Sequence, residues 1–161
     1  RSSDLKYWGM TGWRLGWLVM PRDLAGAAVD IAGNMALCAP TLAQHAALAA
    51  FEPESYTECD ARVAALAETR EVLLAATPSL GFTRTAPVDG AFYLWAEISG
   101  SSLRSPDWCA RLLAETGVAL APGTDFDARH GADWVRLSFS PGREVVERAC
   151  ERIAEWNYHR R

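Results

Sequence analysis

Hydrophobic and polar positions alternate in two stretches of the chain, and this alternation predicts strands. In residues 91–98 every second residue, from Phe92 to Ile98, is apolar and lies on the same face of the predicted strand. Residues 134–139 repeat the pattern, with Arg136 on the opposite face from the apolar residues. Residues 15–20 are instead apolar throughout, which is typical of a central strand covered on both faces. A shorter strand is expected at residues 118–121.

Helical spacing, together with prolines and capping residues, divides the remaining sequence. It predicts helices at residues 22–32, 41–51 with Thr41 as the cap, about 53–76, 106–116 between the Ser105 cap and Gly117, and from Ser140-Pro141 onward. Residues 34–40 are expected to form a loop. Elements in this order indicate an α/β lobe over residues 56–161, joined to a fragment of another α/β lobe over residues 1–55.

Composition and charge exclude several classes of protein. The 161 residues are 50% hydrophobic, which is enough to bury a core, and the formal charge of −4 gives no basic footprint for nucleic acid. No apolar run reaches the roughly 20 residues of a membrane helix, and no signal-peptide pattern opens the chain. The four cysteines are scattered, which favours reduced thiols in the cytoplasm. Because the first residue is Arg1, we expect the chain to be part of a longer protein.

Lys6 is the only lysine among 16 basic residues. A coding bias toward arginine explains the other basic positions, but it leaves Lys6 unexplained unless a guanidinium cannot replace this amine. Arginine stays protonated, whereas a lysine amine can lose its proton and form a Schiff base with an aldehyde. Composition therefore hints at a nucleophilic amine at residue 6.

The segment from Lys6 to Trp17, with Ser3 before it, resembles the cofactor-lysine motif of class I/II aminotransferases, the fold-type-I enzymes that depend on pyridoxal 5'-phosphate. The resemblance implies that Lys6 forms the Schiff base with the cofactor. It also implies that Arg14, eight residues later, binds the cofactor phosphate and that Ser3 adds a hydroxyl donor. The expected cofactor is accordingly pyridoxal 5'-phosphate, and no metal is expected.

The remaining sequence resembles the same family in order and distance. Residues 89–93 are similar to its strand after the long interdomain helix, and residues 121–123 to its turn before the last strand. Arg136 then corresponds to the arginine that binds the substrate α-carboxylate. Phe92 and Tyr93 are candidates for lining the substrate entrance, with core packing as the alternative for both. The resemblance implies the C-terminal piece of a cofactor-binding large domain over residues 1–55, followed by the small α/β domain.

Each of these residues also has an ordinary interpretation. Lys6 could be a surface lysine, Arg14 a structural ion pair, Arg136 a solvated arginine on an edge strand, and Phe92 a core residue. A guanidinium at the start of a buried strand is costly unless it meets an anion, and the guanidinium fork suits phosphate or carboxylate. Physical chemistry and resemblance therefore agree on an anion partner for both arginines.

Two features depart from the family pattern. Asp4-Leu5 replaces the usual aromatic-serine pair before the lysine, which removes one phosphate-binding hydroxyl and adds a carboxylate. Residues 34–44 contain no basic residue, so the resemblance does not extend to the dicarboxylate-specific branch. The three histidines lie far apart, without the spacing of a zinc site or a catalytic triad.

The sequence thus predicts a cytoplasmic aminotransferase that moves an amino group between an amino acid and a 2-oxo acid, as a homodimer, with these 161 residues alone inactive. Two alternatives remain open. One is a β-lyase that uses the same lysine. The other is a non-catalytic effector-binding domain, such as the aminotransferase-like half of certain transcription regulators.

Overall fold

The computed structural model describes residues 2–3 and 5–158, of which residues 2, 3 and 158 are described by their backbone. The chain divides into two compact units, which we call unit 1 (up to Arg62) and unit 2 (from Val63). The boundary falls inside one continuous helix, and the two units are described separately.

Unit 1 consists of a small two-stranded sheet and helices. Its elements are β1 (Ser2–Ser3), β2 (Trp17–Leu18), α1 (Arg22–Ala36), α2 (Thr41–Ala49) and the first part of α3 (Pro53–Ala76). Strands β1 and β2 are antiparallel, with Ser3 opposite Trp17. Helix α2 buries Ala43 and Ala47, whereas α1 buries none of its side chains.

The prediction of a strand buried on both faces at residues 15–20 is wrong for unit 1. Only Trp17 and Leu18 are in strand conformation, and the exposed fractions are 37% for Trp17, 57% for Leu18 and 64% for Val19. Burial on two faces requires neighbouring strands and a covering layer on each side. Within the described part of unit 1 the only strand partner is the two-residue β1.

The predicted boundaries of the first two helices also need correction. Helix α1 continues through the predicted loop to Ala36, because no proline interrupts it before Leu37 leaves the helix with a φ of 59°. Thr41 is the first helical residue of α2, with Pro40 at the cap position, and no side-chain cap hydrogen bond forms. The 24-residue helix α3 has the predicted bounds.

Unit 2 contains a four-stranded antiparallel sheet in the order β3-β4-β6-β5. Its elements after α3 are β3 (Arg84–Thr85), β4 (Tyr93–Glu97), α4 (Ser105–Thr116), β5 (Ala121–Pro122), β6 (Trp134–Ser138) and α5 (Arg143–Tyr158). Single 3-10 turns lie at 77–79, 123–125 and 131–133. Both edge strands have two residues, and one edge residue is Pro122.

The core of unit 2 lies on one face of this sheet, as the alternation predicts. Leu94 and Val135 have no exposed surface, and they pack with Leu112 of α4 and Ile153 of α5, which are also fully buried. Because neighbouring residues of a strand point to opposite faces, the side chains of Arg136 and its same-face neighbours lie on the outer face.

Helix α4 ends as predicted, with Gly117 in the left-handed region at a φ of 73°. Its start differs, because Ser105 is already helical and Arg104 occupies the cap position. The Ser105 hydroxyl is buried and donates to the carbonyl oxygen of Gly131 at 2.8 Å. Strand β5 and helix α5 begin later than predicted, at Ala121 and Arg143. Within the residues described, no helix is long and apolar enough to cross a membrane.

Candidate active site

Lys6 lies in a tight turn of unit 1, and its side chain is exposed. The turn is closed by two backbone hydrogen bonds, from Gly9 N to Lys6 O at 3.0 Å and from Met10 N to Leu5 O at 3.1 Å. Leu5 anchors it, since this side chain is fully buried although its φ is 58°. A left-handed non-glycine residue is a strained conformation that persists only when its surroundings fix it. The backbone before the lysine is therefore held in place.

Tyr7, the next residue, is bonded to α3. Its hydroxyl donates to Oδ1 of Asp60 at 2.5 Å. This hydrogen bond, together with the negative charge of Asp60, raises the pKa of Tyr7 to about 12. The phenol therefore stays protonated over the whole physiological pH range.

Trp8 belongs to an aromatic cluster in unit 1. Its ring centroid lies 5.5 Å from those of Trp17 and Phe51 and 6.0 Å from that of Tyr56. Within the described residues, the Trp8 Nε1 atom is buried without a hydrogen-bond acceptor. The cluster packs the segment that follows Lys6 against the start of α3.

Arg14 is exposed and does not begin a buried strand, which corrects the sequence-based expectation. It ends a 3-10 turn at Thr11–Trp13 with a φ of 54°, and its Nη1 donates to Thr11 O at 3.1 Å. Among the residues that the structure describes, no carboxylate pairs with this guanidinium. The side chain of Ser3, the third predicted cofactor contact, lies outside the described residues, as does Asp4.

Arg136, in β6 of unit 2, contacts two aromatic rings. Its guanidinium carbon lies 4.2 Å from the ring centroid of Tyr93 and 4.0 Å from that of Phe126. In antiparallel register Arg136 is opposite Trp95, two residues from Tyr93 on β4. Over the described part of the chain Arg136 has neither an ion pair nor a hydrogen bond from its side chain, so its N–H donors have no protein acceptor.

The outer face of the sheet continues from Arg136 as a row of aromatic and charged groups. Trp95 stacks on Trp134 with centroids 5.8 Å apart and an angle of 10° between the rings. Arg84 lies over Trp134 at 5.1 Å and pairs with Glu97 at 3.2 Å. In contrast to Arg84, Arg136 has no acidic neighbour of this kind within the described residues.

Phe92 packs against the core of unit 2 and is partly buried. Its ring centroid lies 4.5 Å from that of Tyr93, and its carbonyl oxygen accepts the amide of Phe139 at 3.0 Å. Phe92 therefore fixes the start of β4, where Tyr93 contacts Arg136. Its predicted substrate contact stays a prediction.

Phe126 is the residue at this site that the sequence analysis misses. It lies in the loop between β5 and β6, where the carbonyl oxygens of Gly123 and Gly131 each come so close to the other glycine that neither position has room for a Cβ atom. The sequence signal is the pair Gly123 and Gly131 on either side of Phe126. Only the fold of the loop shows that the close approach of these glycines places Phe126 beside Arg136.

The described residues contain no group of three or more His, Cys, Asp or Glu able to hold a metal ion. The four cysteines are free thiols, exposed at Cys38 and buried elsewhere. Burial raises the pKa of Cys109 to about 11, so this thiol is not a poised nucleophile. Among the candidate residues, Lys6 offers an amine, and the guanidiniums of Arg14 and Arg136 have no carboxylate partner within the described residues.

Comparison with known proteins shows which family this chain belongs to. Residues 6–153 match aminotransferases of class I and II. The chain is 46% identical over 155 residues to a valine–pyruvate aminotransferase of Mycobacterium tuberculosis, covering 96% of this chain and 40% of that protein. It is 32% identical over 151 residues to a (5-formylfuran-3-yl)methyl phosphate transaminase of Methanocaldococcus jannaschii, covering 94% and 40%. The crystal structure of an aminotransferase from M. tuberculosis superposes with a TM-score of 0.91 at 45% identity, covering 96% and 40%.

The fold and these matches define an α/β protein whose relatives transfer amino groups. The chain belongs to the class I and II aminotransferase family, whose members depend on pyridoxal 5'-phosphate. It spans about 40% of the length of the relatives that it matches. Side chains of the kinds that this cofactor requires are present, because a lysine such as Lys6 can react with an aldehyde and a guanidinium such as that of Arg14 suits a phosphate.

Proposed function

We propose that this chain is the C-terminal portion of a pyridoxal-phosphate-dependent aminotransferase, which moves an amino group between an amino acid and a 2-oxo acid. The observation that carries the proposal is the family match from residue 6 to 153. That range includes Lys6, the only lysine, and Arg14, an arginine without an acidic partner among the described residues. The names of the relatives favour amino transfer over the β-lyase and regulator alternatives.

Lys6 is proposed to be both the anchor and the proton carrier. When bound, pyridoxal phosphate supplies an aldehyde carbon for the amino group and a ring that withdraws electrons from the substrate α-carbon. The Nζ atom of Lys6 would hold the cofactor through its aldehyde carbon and, once the substrate amine is bound there instead, would be free to carry the proton of the substrate α-carbon. Its exposed position on a tight turn supports this exchange of roles.

Arg14 and Ser3 are proposed to hold the cofactor phosphate. The guanidinium fork can form paired, charge-assisted hydrogen bonds with phosphate oxygens. Arg14 supports this role because it bonds only its own turn among the described residues. Ser3 would add one hydroxyl donor, a role that rests on the resemblance alone.

Arg136 is proposed to bind the α-carboxylate of the amino acid and of the 2-oxo acid. Its guanidinium lies on the outer sheet face with no carboxylate partner among the described residues, so its donors are open to a substrate. Phe92 is proposed to contact the substrate beside it. Valine and pyruvate, named for the M. tuberculosis relative, are the first donor and acceptor to test.

The proposal extends to the setting of the enzyme. Residues 1–55 are taken as the end of the large cofactor-binding domain and residues 56–161 as the small domain, in a homodimer. A cytoplasmic location is supported by the four free cysteines, since reducing compartments keep thiols unpaired. The small molecules of this reaction are the expected partners.

Covalent trapping tests the role of Lys6. Borohydride reduction of the whole protein loaded with cofactor should fix a pyridoxyl group on Lys6, detected by mass spectrometry of its peptide. Lys6→Arg, which keeps the charge but cannot form the bond, is the matched control and should carry no label at residue 6. Label found only on another lysine would overturn the assignment.

Kinetics of an Arg136 variant test the carboxylate role. Arg136→Ala should lower kcat/KM roughly 30- to 900-fold, which corresponds to the loss of about 2 to 4 kcal/mol of transition-state binding from one bidentate charge-assisted contact, while the spectrum of the bound cofactor stays the same. Arg136→Lys keeps the charge but loses the guanidinium fork, so its kcat/KM should lie between those of the original chain and Arg136→Ala. An unchanged kcat/KM in Arg136→Ala would refute the role.

A further inference from the structure

The guanidinium of Arg136 is held by aromatic rings from two different parts of unit 2. Tyr93 belongs to the neighbouring strand β4, and Phe126 to the loop between β5 and β6. We propose that Phe126 and Tyr93 are positioning residues, which orient Arg136 so that its N–H donors meet the carboxylate of the substrate. This inference rests on the proposed function of Arg136.

The contact with Tyr93 is fixed by the register of the sheet. Tyr93 is opposite Ser138, and Arg136 is opposite Trp95, so Tyr93 and Arg136 are diagonal neighbours on the same face. Long side chains reach each other across such diagonals. The main chain at Tyr93 is held further by the Phe139 amide, which bonds the preceding carbonyl oxygen at 3.0 Å.

The contact with Phe126 is fixed by a closely bonded loop. The amides of Phe126 and Asp127 both donate to the carbonyl oxygen of Gly123 at 2.9 Å. The carboxylate of Asp127 accepts the amides of Arg129 and His130 at 2.8 and 3.0 Å.

The far end of this loop is tied to helix α4. The Gly131 amide donates to Asp127 O at 2.9 Å, and the Gly131 carbonyl accepts the buried Ser105 hydroxyl at 2.8 Å. Phe126 therefore has a defined place although its ring is half exposed.

Aromatic rings suit this task because they attract a cation and leave its hydrogen-bond donors available. A ring face attracts a guanidinium through its quadrupole. It does not neutralise the charge or saturate the N–H donors as a carboxylate does, and in the described residues no acceptor bonds those donors. Without such neighbours, a long arginine side chain loses rotamer freedom when substrate binds, which weakens binding. Ring contacts remove that cost beforehand.

Variants of Phe126 in the whole protein test the inference. Phe126→Leu keeps an apolar side chain but loses the ring face, and it should raise KM for both the amino acid and the 2-oxo acid about two- to fivefold, the scale of one half-exposed cation–π contact. The value of kcat should change less than twofold, because the ring acts on binding. Phe126→Tyr keeps the ring face and should restore the original KM.

The double variant separates positioning from a structural role. In an Arg136→Ala background, Phe126→Leu should have no further effect on kcat/KM, because its target is gone. An equal loss in both backgrounds, or no loss with Arg136 intact, would overturn the inference. If Arg136→Ala itself leaves kcat/KM unchanged, the proposed function of Arg136 fails instead.

Tyr93 supplies a second route should the Phe126 variant fail to fold. Tyr93→Phe should keep KM and Tyr93→Leu should raise it, with the same loss of effect in the Arg136→Ala background. A KM that rises equally in Tyr93→Phe and Tyr93→Leu would show that the hydroxyl matters rather than the ring face, and would contradict the inference.

Discussion

Gly131→Ala should destabilise unit 2 by about 3 kcal/mol. A Cβ atom at Gly131 would overlap the carbonyl group of Gly123 and come within 2.7 Å of the amide nitrogen of Thr124. These are backbone atoms, so the clash cannot be relieved by a change of rotamer, and the loop itself must move. Overpacking of this kind costs about 1 to 3 kcal/mol.

Movement of the loop adds a second cost. The Gly123 carbonyl accepts the amides of Phe126 and Asp127 at 2.9 Å each, and both bonds are disturbed when the carbonyl shifts. Since a hydrogen bond contributes about 0.5 to 1.5 kcal/mol net, partial loss of the pair brings the total to about 3 kcal/mol.

Amide hydrogen exchange measures this change directly. The Phe139 amide bonds Phe92 O at 3.0 Å, and the Ile98 amide bonds Asp133 O at 2.8 Å, so the two report on opening at both ends of the β4–β6 pair. A change of about 3 kcal/mol should speed their exchange roughly a hundredfold.

Gly100→Ala is the matched control for this measurement. Its added Cβ would meet only a methyl carbon of Thr83, at the ordinary distance of 3.5 Å. Exchange of the two reporter amides should therefore stay close to that of the original chain. Equal exchange rates in Gly131→Ala and in this control would refute the reasoning.

Four further outcomes are expected. Asp60→Asn should lower the pKa of Tyr7 from about 12 toward 10, measured by NMR of labelled tyrosine, and an unchanged pKa would contradict the hydrogen-bond explanation. A thiol reagent should modify Cys38 rapidly and the three buried cysteines only on unfolding; more than one fast thiol would count against the fold. The backbone amides that donate to the Asp127 carboxylate lower its pKa, so its stabilisation of the loop is present above the usual carboxyl range and is lost as pH falls through the depressed folded value. The protection factors of those amides, which are corrected for the intrinsic pH dependence of exchange, should therefore fall in acid, and this fall should be absent in Asp127→Asn. Amides of α1, which buries no side chain, should exchange before those of β6, and the reverse order would contradict the burial pattern.

Local patterns predicted unit 2 well. The outer-face position of Arg136 follows from alternation alone, because Val135 and Leu137 must enter the core on the other face. The bounds of α3 follow from helical spacing and a flanking proline. Such features depend on neighbours in sequence, so they are available without a structure.

Features that depend on distant partners could not be predicted. Trp17 and its apolar neighbours predicted a buried strand, yet burial is a property of covering layers, which the described part of unit 1 does not supply. The contact of Phe126 with Arg136 depends on the fold of a loop whose residues carry no period. The roles of Lys6 and Arg14 were suggested by motif spacing, whereas the turn conformations that expose them depend on residues such as the buried Leu5.

The short edges of the four-stranded sheet bear on how this chain self-associates. Fibrils of the cross-β type grow when an exposed edge strand offers a row of free backbone donors and acceptors to another chain. Here each edge has two residues, and Pro122 has no N–H to offer. The apolar side chains of α1, among them Met35 with an exposed fraction of 82% and Val29 with 70%, provide a surface more prone to association than these strand edges. Concentrated solutions of the chain should therefore form amorphous, helix-containing associates that do not bind thioflavin T, rather than ordered fibrils.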